Sequence, residues 1–182
     1  AHTVRALIDF PALIIGCDST FEFQGKSLGK PETSENALER ARKLSGNSGM
    51  LHTGHCIIDT EKGIEISDIA STEVFFADMS EKEIQDYVAT GEPLNGSGGF
   101  TLDGLSAPFI AGIEGETSNV IGLSLPLLRN ASKRRLFPRA GDAPLVCLSR
   151  VRPVFLLARL SACNGAVIHC DGPYCPQGWL HD

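Results

Sequence analysis

Residues 12–16 form a short, unbroken apolar run with Ile14 and Ile15 side by side, which predicts a buried strand. The polar trio Cys17, Asp18 and Ser19 follows directly and places a carboxylate at the strand end. Residues 21–28 read as a hairpin turning at Gln24, Gly25 and Lys26, and Gly29, Lys30 and Pro31 bring a Lys back towards the same strand mouth. Thr33 or Ser34 can cap a helix with apolar positions Ala37, Leu38, Ala41 and Leu44, stopped by Gly46. Residues 51–58 and 70–76 are β-rich and predict two long antiparallel strands joined through Glu61, Lys62 and Gly63. Ser80 with Glu83 forms a capping box for a second helix, with Ile84 and Val88 inward and Gly91 at its end. A Gly-rich turn at 95–99 precedes two short strand candidates, 100–102 and 108–113, and an apolar stretch at 120–128.

This alternation predicts an α/β (α+β) domain over residues 1–130. After Asn130 the pattern degrades to Lys133, Arg134, Arg135, scattered Pro and Cys, and one apolar piece at 151–160. Charge divides at the same place. Residues 1–130 hold 9 Lys and Arg against 19 Asp and Glu, a balance of −10, while 131–182 hold 7 against 3, a balance of +4. Segment 131–182 is therefore a basic, Cys-containing tail with no assigned role. At 182 residues, 42% hydrophobic and 21% charged, the chain excludes wholesale disorder. No apolar stretch reaches the roughly 18 to 20 residues of a membrane span, and nothing at the start has signal-peptide order, so a cytoplasmic protein without a membrane partner is expected.

Carboxylates, hydroxyls and one Lys recur at the predicted element ends: Asp18, Ser19, Lys30, Thr53, Ser71, Thr72, Glu92 and Asp103. Such a set suits a polyphosphate with its divalent metal, because Mg²⁺ or Mn²⁺ prefers oxygen ligands and Lys is a mobile point charge for phosphate. An acidic protein needs that cation to accept an anionic substrate.

The order of short motifs is more specific than any one of them. Cys17-Asp18-Ser19, Gly29-Lys30-Pro31, Leu44-Ser45-Gly46, His52-Thr53-Gly54, the run Ser71 to Phe76, Thr90-Gly91-Glu92-Pro93, Asp103-Gly104, Ile113-Glu114-Gly115 and the run Ser118 to Leu128 together resemble the Maf family. The resemblance covers residues 7–130. It implies an elongated mixed β-sheet with flanking helices and a cleft between two lobes, as in Maf and ITPase-like proteins. It implies a nucleoside triphosphate pyrophosphatase that cuts between the α and β phosphates with Mg²⁺ or Mn²⁺, in a house-cleaning role, in a family also named for septum formation. Dimerisation is common in the family, so a homodimer is implied.

Carried over by motif, Asp18 is the proton acceptor and a metal ligand, and Glu92 a second metal and substrate ligand. Ser19 and Asp103 fall on base-preference positions, Lys30 on the phosphate Lys, and Thr72 in the substrate set. Asp103 leans towards a guanine-like base such as that of 7-methyl-GTP over dTTP or UTP, because a carboxylate accepts hydrogen bonds from a guanine edge and repels pyrimidine carbonyls. The family's N-terminal strand and loop, with its Ser, Pro and paired Arg, is not found in this chain, nor are a following acid and a helix Lys. The domain is thus expected to be N-terminally incomplete, with an unpaired sheet edge. The family's Asp after the Glu-Pro pair is Asn95 here. The alternative is a catalytically impaired nucleotide-binding or regulatory relative.

Other constellations fare less well. His52 and His55 fall on opposite faces of the expected strand, which works against a metal pair. Cys163, His169, Cys170 and Cys175 lack a CxxC knuckle. Arg134, Arg135, Arg139, Arg150, Arg152 and Arg159 lack interleaved aromatics, so no nucleic-acid partner is expected.

Overall fold

The computed structural model describes residues 1–133 and the strand segments 145–149, 154–161 and 165–169. Chain order is α1 (His2–Arg5), β1 (Leu13–Phe23), β2 (Lys26–Leu28), α2 (Ser34–Leu44), β3 (Ser48–Asp59), β4 (Ile64–Phe76), α3 (Glu81–Ala89), β5 (Ile110–Glu114), α4 (Thr117–Ile121), α5 (Leu125–Lys133), β6 (Leu145–Ser149), β7 (Val154–Ser161) and β8 (Gly165–His169). One mixed sheet runs β5-β4-β3-β1-β6-β7-β8, with β2 also on β1. All its pairings are antiparallel except β1 with β6. The tail readings built on Cys163, Cys170, Cys175 and Arg134 to Arg152 lie outside the described residues.

Local chemistry accounts for the turns. Gln24 and Gly25 both take positive φ between Phe23 and Lys26, the two-residue hairpin geometry that matches strand twist. Asp59 Oδ1 accepts the Glu61 and Lys62 N–H groups, and Gly63 (φ 64°) completes the β3–β4 turn. Thr33 caps α2 through the Asn36 N–H, and both halves of the Ser80–Glu83 capping box form on α3.

Two expectations are corrected. Residues 100–102 form no strand, because they fold into a turn around Glu92. The second is the expected unpaired sheet edge: beside β3, the other edge of β1 is paired with β6 over Leu13–Cys17, where residues 145–149 meet its backbone groups.

Burial alternates along the central strands. Leu51, Thr53, His55 and Ile57 on β3, and Ala70, Thr72, Val74 and Phe76 on β4, all turn to one face. Two apolar clusters cover the ends of that face. Phe21, Phe23, Leu44, Leu51, Val74, Phe76 and Phe100 make one, and Leu13, Ile15, Ile57 and Ala131, with Leu127 and Leu128, seat α5 on the other. Phe21, Phe76 and Phe100 meet edge to face, with centroids 5.1 to 6.0 Å apart.

A polar belt lies between the clusters. Buried Thr53 donates to the Asn119 carbonyl (3.4 Å), and Asn119 Nδ2 donates to Thr72 Oγ1 (3.1 Å) and the Leu51 carbonyl (3.4 Å). His55 Nδ1–H donates to the Thr53 carbonyl (3.0 Å), and Nε2 accepts the Ser124 N–H (3.0 Å). That pattern requires neutral imidazole. Burial lowers the His55 pKa from its ordinary value of 6.5, against smaller opposing contributions from the Thr53 carbonyl, Glu116 and Asp68. On the opposite face α1 covers Ala12, Ile14 and Ile58, and most other described positions are half-buried or exposed.

Phe21→Ala is expected to remove about 3–5 kcal/mol of stability in urea unfolding, as for other buried aromatics, and a loss below about 1 kcal/mol would show that the cluster does not hold the fold. His55 is neutral when folded, so the unfolded chain binds the extra proton as pH falls. Its contribution is complete above the ordinary pKa of 6.5 and declines as pH drops through that value towards the lower folded one. Urea midpoints taken from pH 7.5 to 5 should fall, and His55→Gln should flatten that fall.

Candidate functional site

The site begins at an interruption in strand pairing. β3 follows one edge of β1 from Leu13 to Glu22, whereas the other edge pairs with β6 over Leu13–Cys17 and with β2 over Phe21–Phe23. Asp18, Ser19 and Thr20 lie between those two pairings. Asp18 is therefore in mid-strand and not at a strand end, a correction with a simple cause: an open sheet face accepts polar residues without ending the strand. The Ser19 N–H donates to Asp18 Oδ1 (3.1 Å), and the Ser19 carbonyl accepts Ser97 Oγ–H (3.0 Å). Side chains thus meet backbone groups that a neighbouring strand would otherwise satisfy.

Asp18 is exposed and stands opposite Gly54, whose missing side chain leaves nothing within 4 Å of the Cβ position. A ligand can approach the carboxylate over this gap. Ser19 faces the other way. Its hydroxyl is 2.8 Å from Thr53 Oγ1, and because Thr53 donates to Asn119, Ser19 is the donor.

Lys30 is exposed at the end of the β1–β2 hairpin, on a backbone fixed at both sides. The Gly29 carbonyl accepts the Gly98 N–H (3.3 Å) and an Arg40 guanidinium N–H, and Pro31 is buried. The turn at Ser97–Gly99 therefore touches Ser19 through Ser97 and Gly29 through Gly98, bringing the Asp18 and Lys30 segments onto one support. Gly98 has φ 79°, and a Cβ there would lie 2.8 to 3.0 Å from the Phe100 and Phe21 rings. Only glycine fits that seat.

Glu92 organises the neighbouring loop. Oε1 accepts Tyr87 O–H (3.3 Å), Thr101 Oγ–H (2.6 Å) and the Ser106 N–H (3.3 Å), and Oε2 accepts the Leu105 N–H (3.0 Å). Burial pushes its pKa up, but the bonds from Thr101, Leu105, Ser106 and Tyr87 outweigh that and hold it below the ordinary carboxylate value. Gly104 packs against this carboxylate so closely that a Cβ would overlap Thr101 Oγ1 and lie 2.7 and 2.8 Å from the two oxygens. Asp103 is exposed on the loop so formed.

Thr72, expected in the substrate set, is fully buried. Its hydroxyl donates to the Glu116 carbonyl (3.3 Å) and accepts the Glu116 N–H (3.1 Å), tying α4 to β4. His52 and His55 do lie on opposite faces: His52 meets Ser71 Oγ (2.8 Å) and Glu22 (3.4 Å) on the open side, away from buried His55. Sequence reading missed Ser97, Tyr87 and Thr101. The Gly-rich turn carrying Ser97 was visible, but not its target on Ser19. Asp18, Lys30 and Asp103 are thus three exposed charged groups on supported backbone, suited to proton transfer, phosphate charge and polar recognition respectively.

The model of the family described as Maf-like protein matches residues 1–135. The chain is 48% identical to the nucleoside triphosphate pyrophosphatase of Salinispora tropica over 76% of its own length and 61% of that protein's. It is 55% identical to the protein of the same name in Streptomyces coelicolor, over 65% and 57% respectively. A third, from Prochlorococcus marinus, is 50% identical over 65% and 62%. The chain thus spans about three fifths of the length of these relatives. With most of its length matched by the family model and about half of the aligned residues identical to these proteins, the chain belongs to the Maf-like protein family.

Proposed function

We propose that this chain carries the Asp18, Lys30 and Asp103 portion of a nucleoside triphosphate pyrophosphatase, the activity for which its relatives are named. The observation that carries the reading is Asp18, an exposed carboxylate at the break in β1 pairing, coupled to the Lys30 hairpin through Ser97 and Gly98. Water attacks the α-phosphorus, the bond from that phosphorus to the α–β bridging oxygen breaks, and a nucleoside monophosphate and pyrophosphate leave. Asp18 takes the proton from the attacking water, and Lys30 offsets charge growing on the departing pyrophosphate.

The exposed Asp18 carboxylate beside a glycine gap fits a hard divalent cation, Mg²⁺ or Mn²⁺. When bound, such a cation supplies charge neutralisation for the polyphosphate. Glu92 was the second carboxylate expected to bind metal and substrate. Both its oxygens already accept hydrogen bonds, so we assign it to holding the Asp103 loop. Thr72, buried on the core face of β4, supports the site through α4. Ser19 turns towards Thr53, away from the Asp18 side, and links the site to the polar belt. Asp103 accepts hydrogen bonds from N–H groups on a base edge, which favours a guanine-like base over thymine or uracil. The family resemblance also supports a homodimer acting in the cytoplasm.

Pyrophosphate release from a panel of canonical and modified nucleoside triphosphates tests the reading. Asp18→Asn should lower kcat by about 100-fold or more with nucleotide binding retained, as expected for loss of a general base. Full activity in that variant would remove Asp18 from the mechanism, and nucleotide binding without turnover in the parent chain would favour a binding protein instead.

Gly104→Ala should displace the Glu92 clamp, costing about 1–3 kcal/mol of stability in thermal unfolding and eroding the preference between guanine and pyrimidine nucleotides. Asp103→Asn should erode the preference alone. Unchanged kcat/KM ratios in both variants would exclude this loop from base selection.

A further inference from the structure

Away from Ser97, Glu92 and Asp103, three side chains from three elements converge on the open side of the sheet: His2 on α1, Cys56 on β3 and Glu65 on β4. Register explains the convergence. Cys56 pairs with Gly16 and Ser67, and Glu65 lies two residues from Ser67 on the same strand, so Cys56 and Glu65 share a face. That face is the one α1 covers: Ala1, Val4 and Ile8 pack with Cys56 against Ala12, Ile14 and Ile58. Gly16 allows the close approach, since a Cβ at that position would lie 2.9 Å from the Ala1 nitrogen. His2 is thereby delivered to the strand pair.

We propose that His2 Nε2, Cys56 Sγ and Glu65 form a binding site for a borderline-soft divalent cation, of which Zn²⁺ is the natural example. The spacing carries the proposal. His2 Nε2 is 3.2 Å from Glu65 Oε1, Cys56 Sγ is 3.7 Å from the same oxygen, and all three ligand atoms lie within 4.8 Å of one another. With metal bonds of about 2.0 to 2.1 Å to nitrogen and oxygen and about 2.3 Å to sulfur, a tetrahedral ion has N···O and S···O edges of about 3.3 and 3.6 Å. The two edges at Glu65 Oε1 match those values, and the N···S edge lies within 4.8 Å. One nitrogen, one sulfur and one oxygen donor select zinc-like ions over Mg²⁺ or Ca²⁺, which take oxygen.

Cys56 is half-buried while His2 and Glu65 are exposed, so the fourth position opens to solvent. Binding forms the S–metal bond as the Cys56 thiol releases its proton to solvent, so affinity falls with falling pH. Gly16–Cys56 lies two residues along from the Asp18–Gly54 pair, about 7 Å at strand rise, and Asp18 is not among the ligand atoms that converge here. Its expected consequence is to clip α1, a four-residue helix, onto the sheet.

The test reads Cys56 directly and needs no turnover. The full chain is alkylated with iodoacetamide with and without Zn²⁺, and labelling is followed on the Cys56 peptide by mass spectrometry, which keeps the other cysteines apart. One equivalent of Zn²⁺ is expected to slow labelling of Cys56 by about tenfold or more, and Mg²⁺ to leave it unchanged. His2→Gln and Glu65→Gln should each largely abolish the protection. Both positions are exposed, so the variants should keep the parent's urea midpoint without metal. Co²⁺ should give thiolate-to-cobalt absorption that weakens in Cys56→Ser. Equal labelling with and without Zn²⁺, or protection that survives both His2→Gln and Glu65→Gln, would overturn the site.

Discussion

The edge-to-face contact of Phe21, Phe76 and Phe100 is the constraint on which the rest depends. It joins the far half of β1, the end of β4 and the loop after α3 in one dry cluster. The turn at Gly98 rests on those rings, and from that seat Ser97 reaches Ser19 and Gly98 reaches Gly29. Aromatic packing thus fixes the backbone from which Asp18 and Lys30 project, although neither charged residue belongs to the cluster. Buried rings of this size combine large apolar area with a preferred angle, so they position a loop as well as stabilise it.

The polar belt has the complementary role. Thr53, His55, Thr72, Asn119 and Ser124 occupy core-facing positions between the two apolar clusters, and hydrogen bonds tie β3 and β4 to α4 and α5. Buried polar groups are costly when unpaired and directional when paired. Here they set where the short α4 crosses the sheet, and Ser19 connects the belt to the site edge. Asn119 Oδ1 is the one buried side-chain polar atom without a partner among the described residues.

The two faces of the sheet divide the labour. Helices α2, α4 and α5 load one face, leaving the other to α1 and to exposed charge. Along that open face lie Asp18, the carboxylate of the proposed pyrophosphatase site, and the His2, Cys56 and Glu65 group of the proposed zinc-like site. Both use residues that the fold does not need for its core, which is where strands can carry chemistry at little cost in stability.

Local signals in the sequence were sufficient wherever a few neighbouring residues decide the outcome. The Ser80–Glu83 box and the Thr33 cap formed as read, and the hairpin turned at Gln24–Gly25 with Lys26 already in β2, because capping and turn chemistry act within a few residues. The strand read over 12–16, by contrast, runs on to Phe23. The motif order also identified the family. What remained hidden was long-range. Buried Thr53 and His55 broke the apolar alternation of β3, and the polar start of β4 masked its true length. Residues 100–102 were drawn from a strand into a turn by Glu92, and the open stretch of β1 around Asp18 depends on where β2 and β6 stop pairing. Sequence alone determined which residues could do chemistry. Only the tertiary structure decided which face each one occupies, because facing depends on strand register and on partners far along the chain, such as Ser97 for Ser19, 78 positions away.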